Sequence, residues 1–271
     1  MYHFFVPEAG EGPVLSITGP DVNHIRNVLR MKPGERIVIS NGADRDFYCA
    51  ITEIRADEVL AEVLPEAVEE SELPARLVLF QGLPKGDKME FIIQKAVELG
   101  AWKVVPVAMK RSVVKLDEKK QRSRIPRWNG IAESAAKQSG RRVIPEVTTV
   151  KSFREALDLA EAMDLILIPY ENERGMEATR EALEELRPGM TAGIFIGPEG
   201  GFDAAEIEAA RTRGARTVSL GRRILRTETA GLAALTLCMM RLELAETERE
   251  TDGAKTAHAD AGASEAADRG A

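Results

Sequence analysis

Cysteine and histidine are scarce in this chain, with two and three residues respectively among 271. Cys49 falls in an expected strand and Cys238 in an expected apolar helix, so both read as buried reduced thiols rather than a disulfide framework. His3, His24 and His258 are scattered, and no Cys/His spacing suited to a metal ligand set exists. Long hydrophobic runs are also missing: the longest, Leu232 to Met240, falls short of the roughly 20 residues a bilayer requires and closes on Arg241. The first residues, Met1 to Glu8, lack a basic stretch followed by an apolar one, so no secretory signal is expected and a cytoplasmic location follows by default.

Hydrophobic residues make up 44% and charged residues 30%, an ordinary globular balance. At roughly 150 residues per domain the length suggests about two domains. The net charge of -7 hides a segregation: residues 1–75 carry 6 basic against 14 acidic side chains, residues 76–151 carry 17 against 7, and residues 152–271 carry 14 against 23. A basic middle between acidic ends suits a polyanionic partner, and charge alone fits a solvated lysine-rich face equally well.

Residues 1–70 read as strand-rich. Asp21 is positioned to cap a short helix over 22–30, with Val22, Ile25 and Leu29 on one face, before Lys32-Pro33-Gly34 breaks it. Strands are expected over 36–40, 46–52 and 58–63, separated by tight turns, which suggests a small barrel. The acidic, Pro-flanked segment 65–74 reads as a linker. After Pro74 strands and helices alternate, with strands over 77–80, 104–107, 165–168, 192–196 and 215–219. Helices are expected over 87–99, opened by a capping-box spacing at Asp87, over 121–138 and over 151–162. The fold class is therefore α/β with a mostly parallel sheet behind a small barrel. Residues 251–271 contain eight alanines and no Val, Ile, Leu or Phe, which predicts a disordered tail.

The sharpest feature is Ile196-Gly197-Pro198-Glu199-Gly200-Gly201-Phe202, between a strand and a helix marked by the capping-box spacing of Asp203 and Glu206. Glycines at a strand end let main chain approach a ligand, and ligands of open α/β sheets bind outside the carboxyl ends of the strands. The spacing is not that of a dinucleotide fingerprint or a phosphate loop. A tight turn alone remains the plain alternative. A second loop, Leu220-Gly221-Arg222-Arg223-Ile224-Leu225-Arg226-Thr227-Glu228-Thr229-Ala230, again leads from a strand through a glycine to a helix, with Thr227 a natural cap. Its three arginines need anions, carboxylates or solvent.

These two loops closely resemble the RsmE family of 16S ribosomal RNA uridine N3-methyltransferases in the SPOUT superfamily. The similarity extends to His24-Ile25-Arg26-Asn27-Val28-Leu29-Arg30, to Lys95-Ala96-Val97-Glu98-Leu99-Gly100, to Arg127-Trp128, and to Ala135-Ala136-Lys137-Gln138-Ser139-Gly140-Arg141 ahead of Pro145. It spans about residues 1–245; Arg222 stands where the family often has proline.

The resemblance implies a PUA-like RNA-binding barrel over 1–70, a SPOUT methyltransferase domain with a trefoil knot over 74–247, and a tail over 248–271. It also implies S-adenosylmethionine as cofactor, 16S ribosomal RNA or the small subunit as substrate, and a homodimer with no membrane or metal. Carried onto this chain, the cofactor pocket comprises Ile196, Gly197, Glu199, Gly200, Gly201, Leu220, Gly221, Ile224, Leu225 and Thr229.

The chemistry adds catalytic candidates. The N3 atom of uracil lies on the pairing edge and carries a proton at neutral pH, so the base must be unpaired and its anion stabilised or a general base supplied. Arg226 is the candidate for the anion, and Glu199 or Glu228 for the base, with local capping or pairing of both glutamates the plain alternative. RNA contacts are expected from His24, Arg26, Arg30, Arg111, Lys115, Arg127, Gln138, Arg141, Arg142 and Arg223, whereas Trp128 is expected to pack. The competing readings are a SPOUT enzyme with another RNA target and a non-catalytic RNA-binding assembly factor.

Overall fold

The computed structural model describes the backbone of residues 1–10, 12–68 and 70–268, and the side chains of these up to residue 247. Strands β1 (Tyr2–Phe5) and β2 (Val14–Thr18) precede helix α1 (Pro20–Asn23), followed by β3 (Arg36–Ser40), β4 (Asp46–Ile54) and β5 (Glu58–Val63). They form one five-stranded sheet in the order β1-β3-β4-β5-β2, parallel only between β1 and β3. Alternation explains the pairing: Ile37, Ile39, Cys49, Ile51, Val59 and Ala61 all point to one buried core. The β3–β4 turn is closed by Asn41, whose side-chain carbonyl accepts from the main-chain N–H of Ala43, Asp44 and Arg45.

The segment expected as one helix over 22–30 is built differently. Gly19 caps α1 with Pro20 in its first turn, and His24–Val28 then form a π-helical turn capped by Leu29, after which Arg30 is a non-glycine residue with φ 55°. Asp21 caps nothing, because its carboxylate is drawn to Lys137 Nζ at 3.0 Å.

The second unit comprises β6 (Arg76–Gly82), α2 (Lys88–Glu98), β7 (Ala101–Ala108), α3 (Glu118–Ser139), β8 (Glu146–Val147), β9 (Lys151–Ser152) and α4 (Phe153–Ala160). It continues through β10 (Leu165–Pro169), α5 (Glu177–Glu185), β11 (Thr191–Ile196), α6 (Ala204–Thr212), β12 (Arg216–Val218) and α7 (Thr227–Asp268). The sheet runs β12-β10-β11-β6-β7-β8, with β9 also on β7, and every pair is parallel.

Burial on both faces explains the unbroken apolar runs of β6, β10 and β11. Leu77, Leu79, Ile194 and Ile196 face α2, α3 and α7, while Val78, Phe80 and Phe195 face α4 and α6. Phe80 stacks on Phe195 at 4.2 Å between ring centroids. Cys49 and Cys238 are free and buried, and Trp128 packs in the core, as expected. Asp87 stands before α2 without accepting a capping hydrogen bond, whereas the capping box of Asp203 and Glu206 forms in full. The backbone of α7 continues to Asp268, in keeping with the high helix propensity of alanine. Against the disordered tail expected over 248–271, the backbone is helical to Asp268; the side chains from 248 and all of residues 269–271 lie outside the described residues.

The two units meet at the C-terminal end of α3. Besides the Lys137–Asp21 pair, Arg142 Nε reaches Asp46 at 3.3 Å, and Ser40 Oγ donates to the Arg142 carbonyl at 2.8 Å. Arg141, 3% exposed, pairs through both ends of its guanidinium with Glu72 and donates to the carbonyls of Val97 and Ala101. The expected RNA contacts at Arg141 and Arg142 are thereby corrected. Both are committed to protein partners, because a buried guanidinium must have its donors satisfied.

Candidate active site

The C-terminal ends of β10, β11 and β12 and the start of α7 enclose a cleft of about 410 Å³, within the 300–1,000 Å³ range usual for small-molecule sites. Three connections form its walls: Pro169 to Glu173 after β10, Ile196 to Phe202 after β11, and Ser219 to Thr227 after β12. The two loops singled out in the sequence are thus brought together. Ile196, Gly197, Glu199, Gly201, Leu220, Gly221, Ile224 and Leu225 all line the cleft, as do Arg222, Arg223 and Arg226. Ile224 stands at 86% exposure, a large apolar side chain left bare at a cleft.

Two expected cofactor residues lie elsewhere. A side chain at Gly200 would meet Arg111 Cβ at 3.0 Å, and Arg111 Nη1 donates to the Gly200 carbonyl at 3.1 Å, so this glycine accommodates the loop after β7. Thr229 is exposed on α7 and does not line the cleft. Close approach is required at Gly82, where a Cβ would lie 2.7 Å from Pro198, and at Gly197, where one would lie 3.1 Å from the Gly201 main chain.

A buried hydrogen-bond chain sets the loop after β11. Gln81 Nε2, at the end of β6, donates to the Gly82 carbonyl and to Thr227 Oγ1, each at 2.9 Å, and Thr227 Oγ1 donates to the Gly197 carbonyl at 2.7 Å. Thr227 therefore binds three elements together instead of capping its own helix.

The two candidate bases are held by one cation that the sequence reading missed. Lys88 Nζ lies 3.1 Å from Glu199 Oε1 and 3.2 Å from Glu228 Oε2. Glu199 Oε1 also accepts from the Lys85 main-chain N–H at 3.0 Å. Burial alone would raise the Glu199 carboxyl, but the hydrogen bonds from Lys85 and Lys88 outweigh it and hold it below the usual range. The hydrogen bond to Glu199, and after it the pairing with Glu228, raise the Lys88 ammonium.

Such a carboxylate is a weak proton acceptor, so the geometry disfavours the expected role of Glu199 as base. Glu228 does not line the cleft and pairs with the same lysine. A signal for Lys88 did exist: a cation in the first turn of α2 opposes the helix dipole and calls for carboxylates nearby. Arg226 is exposed, lines the cleft and has no side-chain partner among the described residues. It is free to meet an anion.

The remaining basic candidates divide by partner. His24, Arg26, Arg30, Lys115, Gln138 and Arg223 are exposed. Arg127 pairs with Glu90 of α2 at 2.8 Å.

Comparison with known proteins agrees with this geometry. The family model described as RNA methyltransferase domain matches residues 71–239, and that described as RNA methyltransferase PUA domain matches residues 17–64. Ribosomal RNA small subunit methyltransferase E of Bacillus subtilis (strain 168) is 40% identical over 237 residues, covering 86% of this chain and 93% of the relative. The chain belongs to the ribosomal RNA small subunit methyltransferase E family. A member from Mesomycoplasma hyopneumoniae (strain 232) is 32% identical over 239 residues, 88% of this chain and 99% of that one. The crystal structure of the Neisseria gonorrhoeae member bound to S-adenosyl methionine matches with a TM-score of 0.74 at 35% identity, over 87% of this chain and 95% of that chain. The family's fold, a small β unit followed by a parallel-sheet SPOUT-type domain, is the one described above.

Proposed function

We propose that this protein transfers a methyl group from S-adenosylmethionine to the N3 atom of a uridine in 16S ribosomal RNA, within the small subunit. The observation that carries the reading is the convergence of the loops after β11 and β12 on one cleft of about 410 Å³. The cleft fits the cofactor: Ile196, Leu220 and Leu225 offer apolar contact to an adenine, and the glycine loops offer main-chain donors and acceptors. When bound, S-adenosylmethionine supplies an electrophilic methyl group on a sulfonium.

The chain's own residues do the rest. N3 gives up its proton to solvent water, Arg226 stabilises the uracil anion that remains for methyl transfer, and Arg222 and Arg223 hold the flanking phosphates at the cleft mouth. Exposed Lys115, His24, Arg26 and Arg30 extend that path along the basic middle and the N-terminal unit. We assign RNA binding to residues 1–70, where the expected barrel is an open five-stranded sheet with β1 and β2 at its edges, and the methyltransferase domain to 74–247, with the last segments threaded as a trefoil knot. The return of Thr227 to Gly197 across the β11 loop supports that threading.

Dimerisation through α2 and α7, which pack together, is supported by Phe91, Met240 and Leu244, which stand 45%, 46% and 55% exposed. Among the described residues no helix is long and apolar enough to cross a membrane, and we place the protein in the cytoplasm with its ribosomal substrate. The test uses labelled S-adenosylmethionine with unmethylated small subunits or naked 16S RNA, followed by mass spectrometry of the nucleosides. Label is expected in 3-methyluridine at one position. Label in another nucleoside transfers the enzyme to a different RNA reaction, and no label in either substrate overturns the reading.

A further inference from the structure

We infer that Lys88 is a positioning residue whose ammonium clasps Glu199 and Glu228 together and thereby fixes one wall of the cleft. The inference rests on reading that cleft as the S-adenosylmethionine site. Lys88 opens α2, Glu199 sits in the loop after β11 and Glu228 in the first turn of α7, so one side chain joins three elements remote in sequence. All three side chains are partly shielded, at 31%, 27% and 19% exposure, where an ion pair is screened less than on an open surface. Glu228 Oε2 is buried and accepts no hydrogen bond, so the lysine charge is what offsets its burial.

The surrounding charges leave Lys88 this task. Lys85 meets Glu199 through its main-chain N–H. Glu90, on the same turn of α2, is neutralised by Arg127. Arg226 lines the cleft without a carboxylate partner among the described residues, and Glu171 and Glu173 stand on the wall after β10. Both carboxylate oxygens lie within 3.2 Å of one nitrogen, so without the ammonium two like charges face each other. The cheapest relief is then for one of them to take up a proton or for the loop and helix to part.

The sign follows. In Lys88→Met one carboxyl is raised in the folded state by its neighbour. Folding and a well-formed cleft are favoured when that carboxyl is protonated, and both are lost as pH rises through its raised value. The test measures S-adenosylmethionine Kd by calorimetry, and Tm of the ligand-free protein, from about pH 5.5 to about pH 8.5. The variants are Lys88→Met, Lys88→Arg and the double variant Lys88→Met with Glu228→Gln.

At the upper end Lys88→Met is expected to bind about tenfold more weakly and to melt about 2–4 °C lower, with both differences shrinking at the lower end. Lys88→Arg and the double variant are expected to recover most of both losses. A Lys88→Met protein that tracks the wild type at every pH overturns the clasp, as does a loss that is flat with pH and unrelieved by Glu228→Gln. A native wild type that gives no heat overturns the cofactor reading instead, and the ligand-free melting series then decides the clasp alone.

Discussion

At the scale of single residues, the cleft separates charge that is already matched from charge that is waiting for a partner. Glu199 is satisfied by Lys85 and Lys88, while Arg226 faces the cleft with no side-chain partner among the described residues. Arg226→Ala is therefore expected to lower kcat by about 10²–10³-fold while leaving S-adenosylmethionine affinity within about twofold. Single-turnover kinetics beside calorimetry check it, and equal losses in rate and affinity would assign the residue to structure. The arginine's position was legible in the sequence because the loop after β12 announced itself through Gly221 and Thr227. The neutralisation of Glu199 was not, since Lys88 is 111 residues away and only the sheet order brings them together.

At the scale of elements, the strand–loop–helix junctions carry the function, and the hydrogen-bond chain Gln81–Thr227–Gly197 sets their geometry. Thr227→Val keeps the shape and removes the hydroxyl, leaving Gln81 and the Gly197 carbonyl each short of a partner. A stability loss of about 1–3 kcal/mol is expected by urea unfolding, together with weaker S-adenosylmethionine binding. Unchanged unfolding would mean that water replaces the hydroxyl.

Strands with unbroken or alternating apolar patterns, such as β10 and β3, could be read directly, because periodicity reports burial. The two-residue strands β8 and β9 could not, since their pairing is set by β7 and not by their own sequence. Asp21 misled because a capping spacing is local, while its carboxylate was claimed by Lys137, a partner 116 residues distant; nothing in the structure explains why Asp87 leaves its helix uncapped. The same logic explains Thr227, whose capping chemistry was overridden by Gln81 and Gly197.

At the scale of the whole molecule, the N-terminal unit is held against the methyltransferase unit by buried polar groups as well as by packing. His3 stacks on Phe5 at 5.1 Å, and its Nε2 is buried without a hydrogen bond. Burial lowers its pKa from the ordinary 6.5, with Asp46 opposing and Lys137 adding to the shift. The ring is neutral in the fold and takes up a proton more readily when unfolded. Its contribution to stability is complete above 6.5 and declines as pH falls below that value until the buried ring itself protonates. Tm is expected to fall over that range, and His3→Gln is expected to flatten the fall; an equally steep fall in the variant would place the titration elsewhere.

The basic middle of the sequence was legible as charge but not as surface, because Arg141 and Arg142 were spent on Glu72 and Asp46. The proposed activity requires that the loops after β11 and β12 together make a site for S-adenosylmethionine. The direct measurement is calorimetric titration of the purified protein beside Gly197→Ala, whose added methyl would lie 3.1 Å from the Gly201 main chain. The wild type is expected to bind one cofactor per site, with an affinity at least about tenfold above that of the variant. Equal binding by the two proteins, or no heat from a natively folded wild type, would contradict the account.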